Sequence, residues 1–281
     1  LFFGRKFRFE RALSLAFFTA FAVHALNLAL RAYISGHAPW SDAYESLVYI
    51  SLISVLAGVL FFKHQSFALG AASLFASVSL LVAHLNFINP QITNLVPVLK
   101  SFWLSVHVSV ITASYGFLGF GFVLGLVGLI LMALKSDKNE QKLSEQIRYL
   151  AATDELSLII GLSLLTVGNF LGGVWANESW GRYWGWDSKE SWSYITIIVY
   201  AIVLHLRFIP KLRSVFAFLT ASVLSFASVL FTYFGVNFYL SGLHSYANGE
   251  SFGISGLIYL ILAALALLIA LAYRGRDIKV V

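Results

Sequence analysis

Histidine and tryptophan are the residue types in this sequence whose side chains could do chemistry. The 281 residues include seven His and seven Trp but no Cys, so the chain has no disulfide, no thiolate metal ligand and no thiol nucleophile of its own. Any redox chemistry must therefore be done by something that the chain binds. A neutral imidazole is a strong ligand for iron, and a Trp ring offers a large flat apolar surface.

A segment that reads WANESWGRYWGWD concentrates four of the seven tryptophans. Its tryptophans and its closing aspartate are Trp175, Trp180, Trp184, Trp186 and Asp187. If part of the segment is helical, Trp180, Trp184 and Asp187 share a face at steps of four and three. Gly181 and Gly185 would let a flat ligand approach the backbone. On composition alone, the segment fits either a platform for a large planar ligand or an ordinary aromatic belt at a membrane surface.

The histidines are spread over separate segments of the chain. Two lie in short connections, four lie within or at the edges of different apolar segments, and one lies between the last two apolar segments. In that order they are His37 and His64; His24, His84, His107 and His205; and His244. An ionisable residue in an apolar segment is costly and tends to mark function, although a neighbouring helix often satisfies a lone His. Since no apolar segment carries two His, the pattern argues against a bundle that holds two stacked hemes.

The elements that must position these residues are membrane-spanning helices. The chain is 59% hydrophobic and only 11% charged, whereas a soluble domain has about 25% charged residues. Apolar runs of roughly 20 residues, the length that a bilayer requires, predict an all-α, polytopic transmembrane helix bundle of about eight spans with a Trp-rich outer loop. The predicted spans are 12–31, 45–62, 67–86, 102–134, 154–174, 189–208, 215–238 and 254–273.

A charged segment at 136–152 differs from the predicted spans. It places Leu143, Ile147 and Leu150 on one helical face. This pattern predicts a separate amphipathic helix that lies at the membrane surface.

The distribution of Lys and Arg predicts which side of the membrane each loop faces. With the basic N-terminal segment in the cytoplasm, the alternating loops leave only four of the 19 basic residues outside, namely Arg31, Lys100, Arg182 and Lys189. Both termini are then expected in the cytoplasm, and all the tryptophans at or near the outer surface. The net charge of +6 is therefore a topology signal, not the footprint of a nucleic-acid-binding protein.

This topology predicts two separate histidine sites. His107 falls near the outer end of the fourth span, and His244 can approach the tryptophan segment from another side. His205 falls at the inner end of the sixth span, about 27 Å along a helix from Asp187 at roughly 1.5 Å per residue, so it cannot reach the tryptophans. We expect an outer site with two His and a Trp floor, and an inner site with one identified His.

Three separated motifs resemble those of a known family. They are NFINPQITNLVPVLKSFWLSVHV, then WGRYWGWDSKESW followed by a span that ends in LHLR, then GVNFYLSGLHSY. In this order they resemble the CcsA-type (CcsBA, system II) cytochrome c synthases of the WWD-domain superfamily of heme-handling proteins, over roughly residues 84–260. The family pattern WDPKETW is altered, because Ser188 replaces Pro and Ser191 replaces Thr. Ser188 is expected to cap the helix that follows.

The resemblance implies heme b as the substrate and a set of residues that hold it. At the outer site it implies His107 and His244 as axial ligands of the iron, with Trp175, Trp180, Trp184, Trp186 and Asp187 forming the loop. Arg182 or Lys189 would lie near the propionates. Asp187 would either transfer a proton or serve as a structural carboxylate. At the inner site His205 would receive heme, with its partner ligand in a CcsB-like region and His24 as the local alternative.

The function that the resemblance implies is cytochrome c biogenesis. Heme exported from the cytoplasm would be joined by thioether bonds to the CxxCH segment of apocytochrome c, a synthase (heme lyase) activity. The implied partners are apocytochrome c, a CcsB/ResB-like subunit or fused domain, a thiol-reducing system and the lipid bilayer. The implied location is the bacterial inner membrane, with the active site facing the periplasm. Two alternatives stay open, a heme-delivery protein of the system I kind and a non-heme membrane transporter.

The predicted organisation has three parts. Residues 1–101 form an N-terminal region of three spans, residues 102–273 form a heme-handling core with the Trp-rich loop at 173–192, and residues 274–281 form a cytoplasmic tail. Because the first residue is Leu1 and not Met, the chain is expected to be the C-terminal part of a longer, fused synthase.

Overall fold

Every regular element in the described part of the chain is a helix. The computed structural model describes residues 7–62, 67–85, 88–92, 101–240 and 256–277, with side chains from residue 12 onward. The helices are α1 (Phe7–Ser35), α2 (Ala43–Phe61), α3 (Ala68–Ala83), α4 (Phe102–Ala133), α5 (Glu140–Trp180), α6 (Ser188–His205), α7 (Val215–Leu230) and α8 (Gly256–Ala272). A π-helical turn (Phe231–Gly235) and one further α-helical turn (Val236–Tyr239) continue α7. The predicted all-α architecture is confirmed.

Seven of these helices are long and apolar enough to cross a membrane. The remaining helix, α3, is apolar but has only 16 residues. Each of the eight predicted spans therefore corresponds to a helix among the described residues. The chain is a multi-pass membrane protein.

Helix α5 is longer than predicted, because it includes the segment assigned from the sequence to a separate surface helix. It runs without a break for 41 residues, about 60 Å at roughly 1.5 Å per residue. Ile147 and Leu150 are fully buried, and Leu143 packs against a buried cluster from α4, α7 and α8. The prediction of a surface helix at 136–152 is therefore wrong, since this apolar face packs against other helices and is not available to a bilayer surface.

The first of two compact units contains α1–α3, α4 as far as Phe120, and residues Ile160–Gly185. Its α2 and α3 pack closely, because Gly58 has no side chain to hold the helices apart and lies directly against Ala68 and Ala72. Small residues at a helix contact are how membrane helices gain dispersion energy without a hydrophobic driving force.

Two polar contacts fasten the connection between α1 and α2 in this unit. Arg31 Nε donates to Glu45 Oε1 at 2.7 Å, and Glu45 is fully buried. Trp40 Nε1 donates to the carbonyl oxygen of Ser105 at 2.9 Å. The second contact fixes the α1–α2 connection against the first turns of α4, which carry His107.

The second compact unit contains α4 from Gly121, α5 as far as Ile159, and the chain from Trp186 onward. Helices α6 and α7 pack on one another near the π-helical turn. The Trp192 ring lies 4.1 Å from the Phe231 ring between centroids, and the hydroxyl oxygens of Thr196 and Thr232 are 3.0 Å apart. π-Helical turns inside α-helices often occur at functional sites.

Candidate functional site

The imidazole of His107 is oriented by the backbone of α5. Its Nδ1 lies 2.7 Å from the carbonyl oxygen of Gly168. Because a carbonyl oxygen only accepts, Nδ1 carries the proton, and the lone pair of the neutral ring is on Nε2. A second hydrogen bond of this kind is the usual way in which proteins orient a histidine that ligates a metal.

Two residues one and two turns further along α5 complete the wall around this ring. Gly172 makes room for it, since a Cβ there would lie 2.6 Å from His107 Cε1 and 2.8 Å from its Nδ1. Trp175 is fully buried, and its ring is nearly parallel to the imidazole, with an interplanar angle of 11° and centroids 6.4 Å apart. The first unit therefore brings together two of the predicted site residues, His107 and Trp175.

The tryptophan segment continues from this wall to the end of α5. The Trp180 ring packs edge-on against Trp175, with centroids 4.7 Å apart. The helix ends at Trp180, and Gly181 follows with φ of +70°, a conformation that glycine adopts without strain. Trp184 is half-buried and lies outside any helix. The shared helical face considered for Trp180, Trp184 and Asp187 is therefore absent, because 181–187 is not helical.

The segment after Gly181 turns back towards α5. A Cβ at Gly173 would lie 3.0 Å from the carbonyl oxygen of Tyr183, so only a glycine fits this approach without a shift. The Arg182 guanidinium lies against Gly185, and the side chain of Tyr183 is 65% exposed. This part of the loop presents aromatic and cationic groups at its surface.

In the second unit, Trp186 and Asp187 introduce α6. Trp186 is 72% exposed and has φ of 56°, a strained conformation for a bulky residue that tends to occur at functional sites. Asp187 is the N-cap of α6 and accepts from the backbone N–H groups of Lys189 and Glu190, at 3.0 and 2.9 Å. Glu190 accepts in return from the Asp187 N–H, which completes a capping box.

These contacts give Asp187, not Ser188, the capping role. Ser188 occupies the first helical position of α6, so the expectation that its hydroxyl caps this helix is wrong. The structural role considered for the Asp187 carboxylate is visible in these bonds. Its role in proton transfer stays a prediction.

Lys189, one of the two residues expected near the propionates, is half-buried in the second unit. Its Nζ donates to Asn237 Oδ1 at 3.0 Å, and Asn237 in turn donates to the carbonyl oxygen of Tyr233. The ammonium group is therefore held by the turn that ends α7.

His205, which is predicted at an inner site, has a geometry that parallels that of His107. His205 is exposed at the last position of α6, and its Nδ1 lies 2.7 Å from the carbonyl oxygen of Ala201. The same reasoning places its lone pair on Nε2. In contrast, the Nε2 of His24 lies 2.9 Å from the carbonyl oxygen of Val48, so in His24 this nitrogen serves a contact between α1 and α2.

One predicted ligand, His244, lies outside the described residues. Sequence reasoning missed two residues of the wall, Gly168 and Gly172, which position His107. Their GxxxG spacing on α5 is a signal of close helix contact that could have identified them. Asn237, the partner of Lys189, carried no such signal. No group of three or more His, Cys, Asp or Glu that could hold a metal ion occurs in the described ranges.

Comparison with known proteins gives one family. The family model described as cytochrome C assembly protein matches residues 40–244. Protein NrfI of Wolinella succinogenes is 59% identical over 230 residues, which are 82% of this chain and 25% of that protein. The CcsA cytochrome c biogenesis protein of Chlamydomonas reinhardtii is 39% identical over 228 residues, 79% of this chain and 64% of that protein. CcsA of Prochlorococcus marinus subsp. pastoris is 35% identical over 260 residues, with 83% and 82% covered. The chain thus spans only a quarter of NrfI and somewhat less than two thirds of the algal CcsA.

Proposed function

The chain belongs to the cytochrome C assembly protein family, and from that premise we propose that it binds heme b at a Trp-rich outer face and promotes its attachment to apocytochrome c. The observation that carries this proposal is the way in which Gly168, Gly172 and Trp175 of α5 surround and orient the His107 imidazole. Its Nδ1–H is fixed by Gly168, its Nε2 lone pair is thereby defined, and the buried Trp175 ring lies nearly parallel to it. A neutral imidazole that is oriented through Nδ1 and packed by the parallel Trp175 ring suits an axial ligand of heme iron.

The sequence motifs assign the remaining ligands. We assign His244 as the second axial ligand of the outer site, and Trp180, Trp184 and Trp186 as further parts of the platform. Exposed cationic and aromatic groups around Arg182 and Tyr183 support a role in holding the propionates. His205, whose Nδ1 is held by Ala201, would receive heme at the inner site.

The chemistry proposed for this site is addition of two thiols to the two vinyl groups of heme. Each Cys S–H of the CxxCH segment adds across one C=C bond, so that an S–C bond forms, the proton goes to the other vinyl carbon, and no net oxidation occurs. The chain contributes orientation, because holding two reactants in a reactive geometry replaces a costly bimolecular encounter. The His of the CxxCH segment then takes over an axial position from the synthase.

The proposed setting is the bacterial inner membrane with both termini in the cytoplasm and the Trp-rich face in the periplasm. The proposed partners are apocytochrome c, a CcsB/ResB-like subunit or fused domain, and a system that keeps the thiols reduced. The chain itself contributes no Cys that could reduce a disulfide.

Covalent attachment in cells tests this function. The chain is expressed with a CcsB/ResB-like partner and an apocytochrome c in a bacterium that lacks its own maturation system, and holocytochrome is measured by heme staining of denaturing gels. We expect product with the wild-type chain and a loss of about tenfold or more in His107→Ala.

The matched control for this test is His84→Ala. His84 is exposed, and among the described residues its Nδ1 bonds to the Leu80 carbonyl one turn back in its own helix. We expect this variant to retain wild-type attachment. Equal product from the His107 and His84 variants would contradict the proposal.

A further inference from the structure

Trp40 lies in the short connection between α1 and α2 and is not one of the tryptophans assigned to the heme platform. Its ring packs against that of Tyr49 on α2, with centroids 4.8 Å apart. Its Nε1 donates to the carbonyl oxygen of Ser105 on α4 at 2.9 Å, across 65 residues of sequence. Ser105 stands two residues before His107. A side chain from the α1–α2 connection therefore bonds to the backbone that carries the proposed iron ligand.

The first turns of α4 are held at two positions on different sides of the helix. Successive residues of an α-helix are turned by about 100° around its axis, so positions 105 and 107 lie on roughly opposite sides of α4. The Gly168 carbonyl on α5 holds the His107 ring, and Trp40 holds the backbone at Ser105. The first turn of a helix frays readily, because its first N–H groups lack partners within the helix. Contacts at two sides therefore restrict how far the start of α4 can shift or rotate.

A buried carboxylate fixes the connection that carries Trp40. Glu45 is fully buried, and its Oε1 accepts from Arg31 Nε at 2.7 Å. Its Oε2 accepts at 3.0 Å from the N–H of Ser41, the residue that follows Trp40. Hydrogen bonds to a charged group are shorter and stronger than neutral ones. The backbone beside Trp40 is therefore fastened to α1 and α2, so its indole can act as a fixed support for α4.

We propose that Trp40 is a positioning residue for heme binding, which acts through Ser105 on the orientation of His107. The inference rests on the proposed function, because it takes His107 as a ligand of the heme iron. A ligand works only when it is held close to its productive geometry, and a shift of the first turns of α4 would move the His107 ring. Since one neutral hydrogen bond contributes modestly, we expect its loss to lower heme affinity by about three- to tenfold.

The test is a double-mutant cycle on heme affinity, measured by titrating heme into the heme-free full chain in detergent. Trp40→Phe keeps an aromatic ring beside Tyr49 but has no N–H to donate to Ser105. It is made in the wild-type chain and in His107→Gly, where added imidazole, which is not attached to α4, replaces the ligand. We expect Trp40→Phe to weaken binding by about three- to tenfold in the first background and by less than about twofold in the second.

Ser41→Ala is the matched control. It removes a hydroxyl that donates to the Ala38 carbonyl oxygen at 2.8 Å within the same connection, and it leaves the Trp40 bond in place. Its heme affinity should stay within about twofold of the wild type, with thermal melting of every variant as the check on folding.

Three results would overturn the role of Trp40 alone. They are unchanged affinity in Trp40→Phe, an equal loss in Ser41→Ala, and a loss in Trp40→Phe that is the same in both backgrounds, which would mean that Trp40 acts independently of His107. A folded wild-type chain that binds no heme would instead contradict the proposed function itself.

Discussion

Two residues of α5 orient the imidazole of His107, one through a hydrogen bond and the other because it has no side chain. The Gly168 carbonyl accepts from Nδ1, and the missing side chain of Gly172 leaves space for the ring itself. Both features act on the orientation of the ring. Contacts of this indirect kind commonly change metal affinity by about 10–100-fold.

Replacing Gly172 with Ala should weaken heme binding through His107. The new Cβ would lie 2.6 Å from His107 Cε1, so the ring must shift and its bond to Gly168 must lengthen. We expect heme affinity, measured by titration of the heme-free protein, to fall by about tenfold.

Gly161→Ala is the control for this substitution. It adds the same methyl group to the same helix, but 2.6 Å from the Leu118 side chain. It should disturb packing to a similar degree and leave heme affinity unchanged. An equal loss in both variants would show that helix packing, and not the orientation of His107, sets the affinity.

The aromatic surroundings of His107 could be predicted from the sequence, because the Trp-rich segment is expected beside it. The depth of His107 in a membrane stays a prediction. The hydrogen-bond partner of its imidazole could not be predicted, since Gly168 lies 61 residues away on another helix. A hydrogen bond between helices depends on which faces pack together, and a single sequence does not specify that.

At the scale of elements, α5 and the start of α6 show which features of a helix local sequence patterns predict correctly and which they do not. The sequence from 136 to 160 contains neither Gly nor Pro, so no residue in it interrupts the helix. The amphipathic pattern predicts a surface helix, whereas in the structure its apolar side packs against other helices. At α6, Asp187 and Glu190 fit the capping-box pattern of a helix start. The start itself was predicted to within about a residue, with the wrong capping side chain.

The cap of α6 predicts how substitutions of Asp187 divide between stability and function. Asp187→Ala removes the two bonds to the Lys189 and Glu190 N–H groups and should lower the free energy of unfolding by about 1 kcal/mol. Asp187→Asn keeps a good N-cap and should melt close to the wild type. If the carboxylate acts as a cap alone, the Asn variant should attach heme at a rate within about twofold of the wild-type chain.

Both variants are measured by thermal melting and by the attachment assay in cells. The result for the Asn variant distinguishes the two roles of the carboxylate. If it melted like the wild type but lost attachment by tenfold or more, the carboxylate would have to act in proton transfer and not only as a cap.

At the scale of the whole molecule, the predicted membrane topology assigns the histidines to two different sides. Helices α1 and α8 have only 6% of their most apolar windows buried within the structure, so nearly all of that surface is left for lipid or for other membrane proteins. The positions and apolar lengths of the helices could be predicted from the sequence, since the thickness of a bilayer fixes the length of each apolar run. The length of α3, 16 residues, does not by itself show whether this helix crosses a membrane.

Single cysteines test the predicted orientation, because the chain has none of its own. Tyr183→Cys and Lys138→Cys place one thiol each at exposed positions of the described chain. In intact cells, a membrane-impermeant maleimide should label the first from the periplasm and reach the second only after permeabilisation. The reverse pattern would place the Trp-rich segment in the cytoplasm and contradict the proposed outer site.

The absorption spectrum of the purified protein tests the central claim, that His107 and His244 hold heme at the Trp-rich face. It is recorded oxidised and reduced for the wild type, His107→Gly and His244→Gly, with and without added imidazole. We expect a Soret band in the wild type that is lost or shifted in either variant and restored by imidazole, which fills the space of the missing side chain. A folded wild-type protein without heme, or a spectrum indifferent to both substitutions, would contradict the outer site.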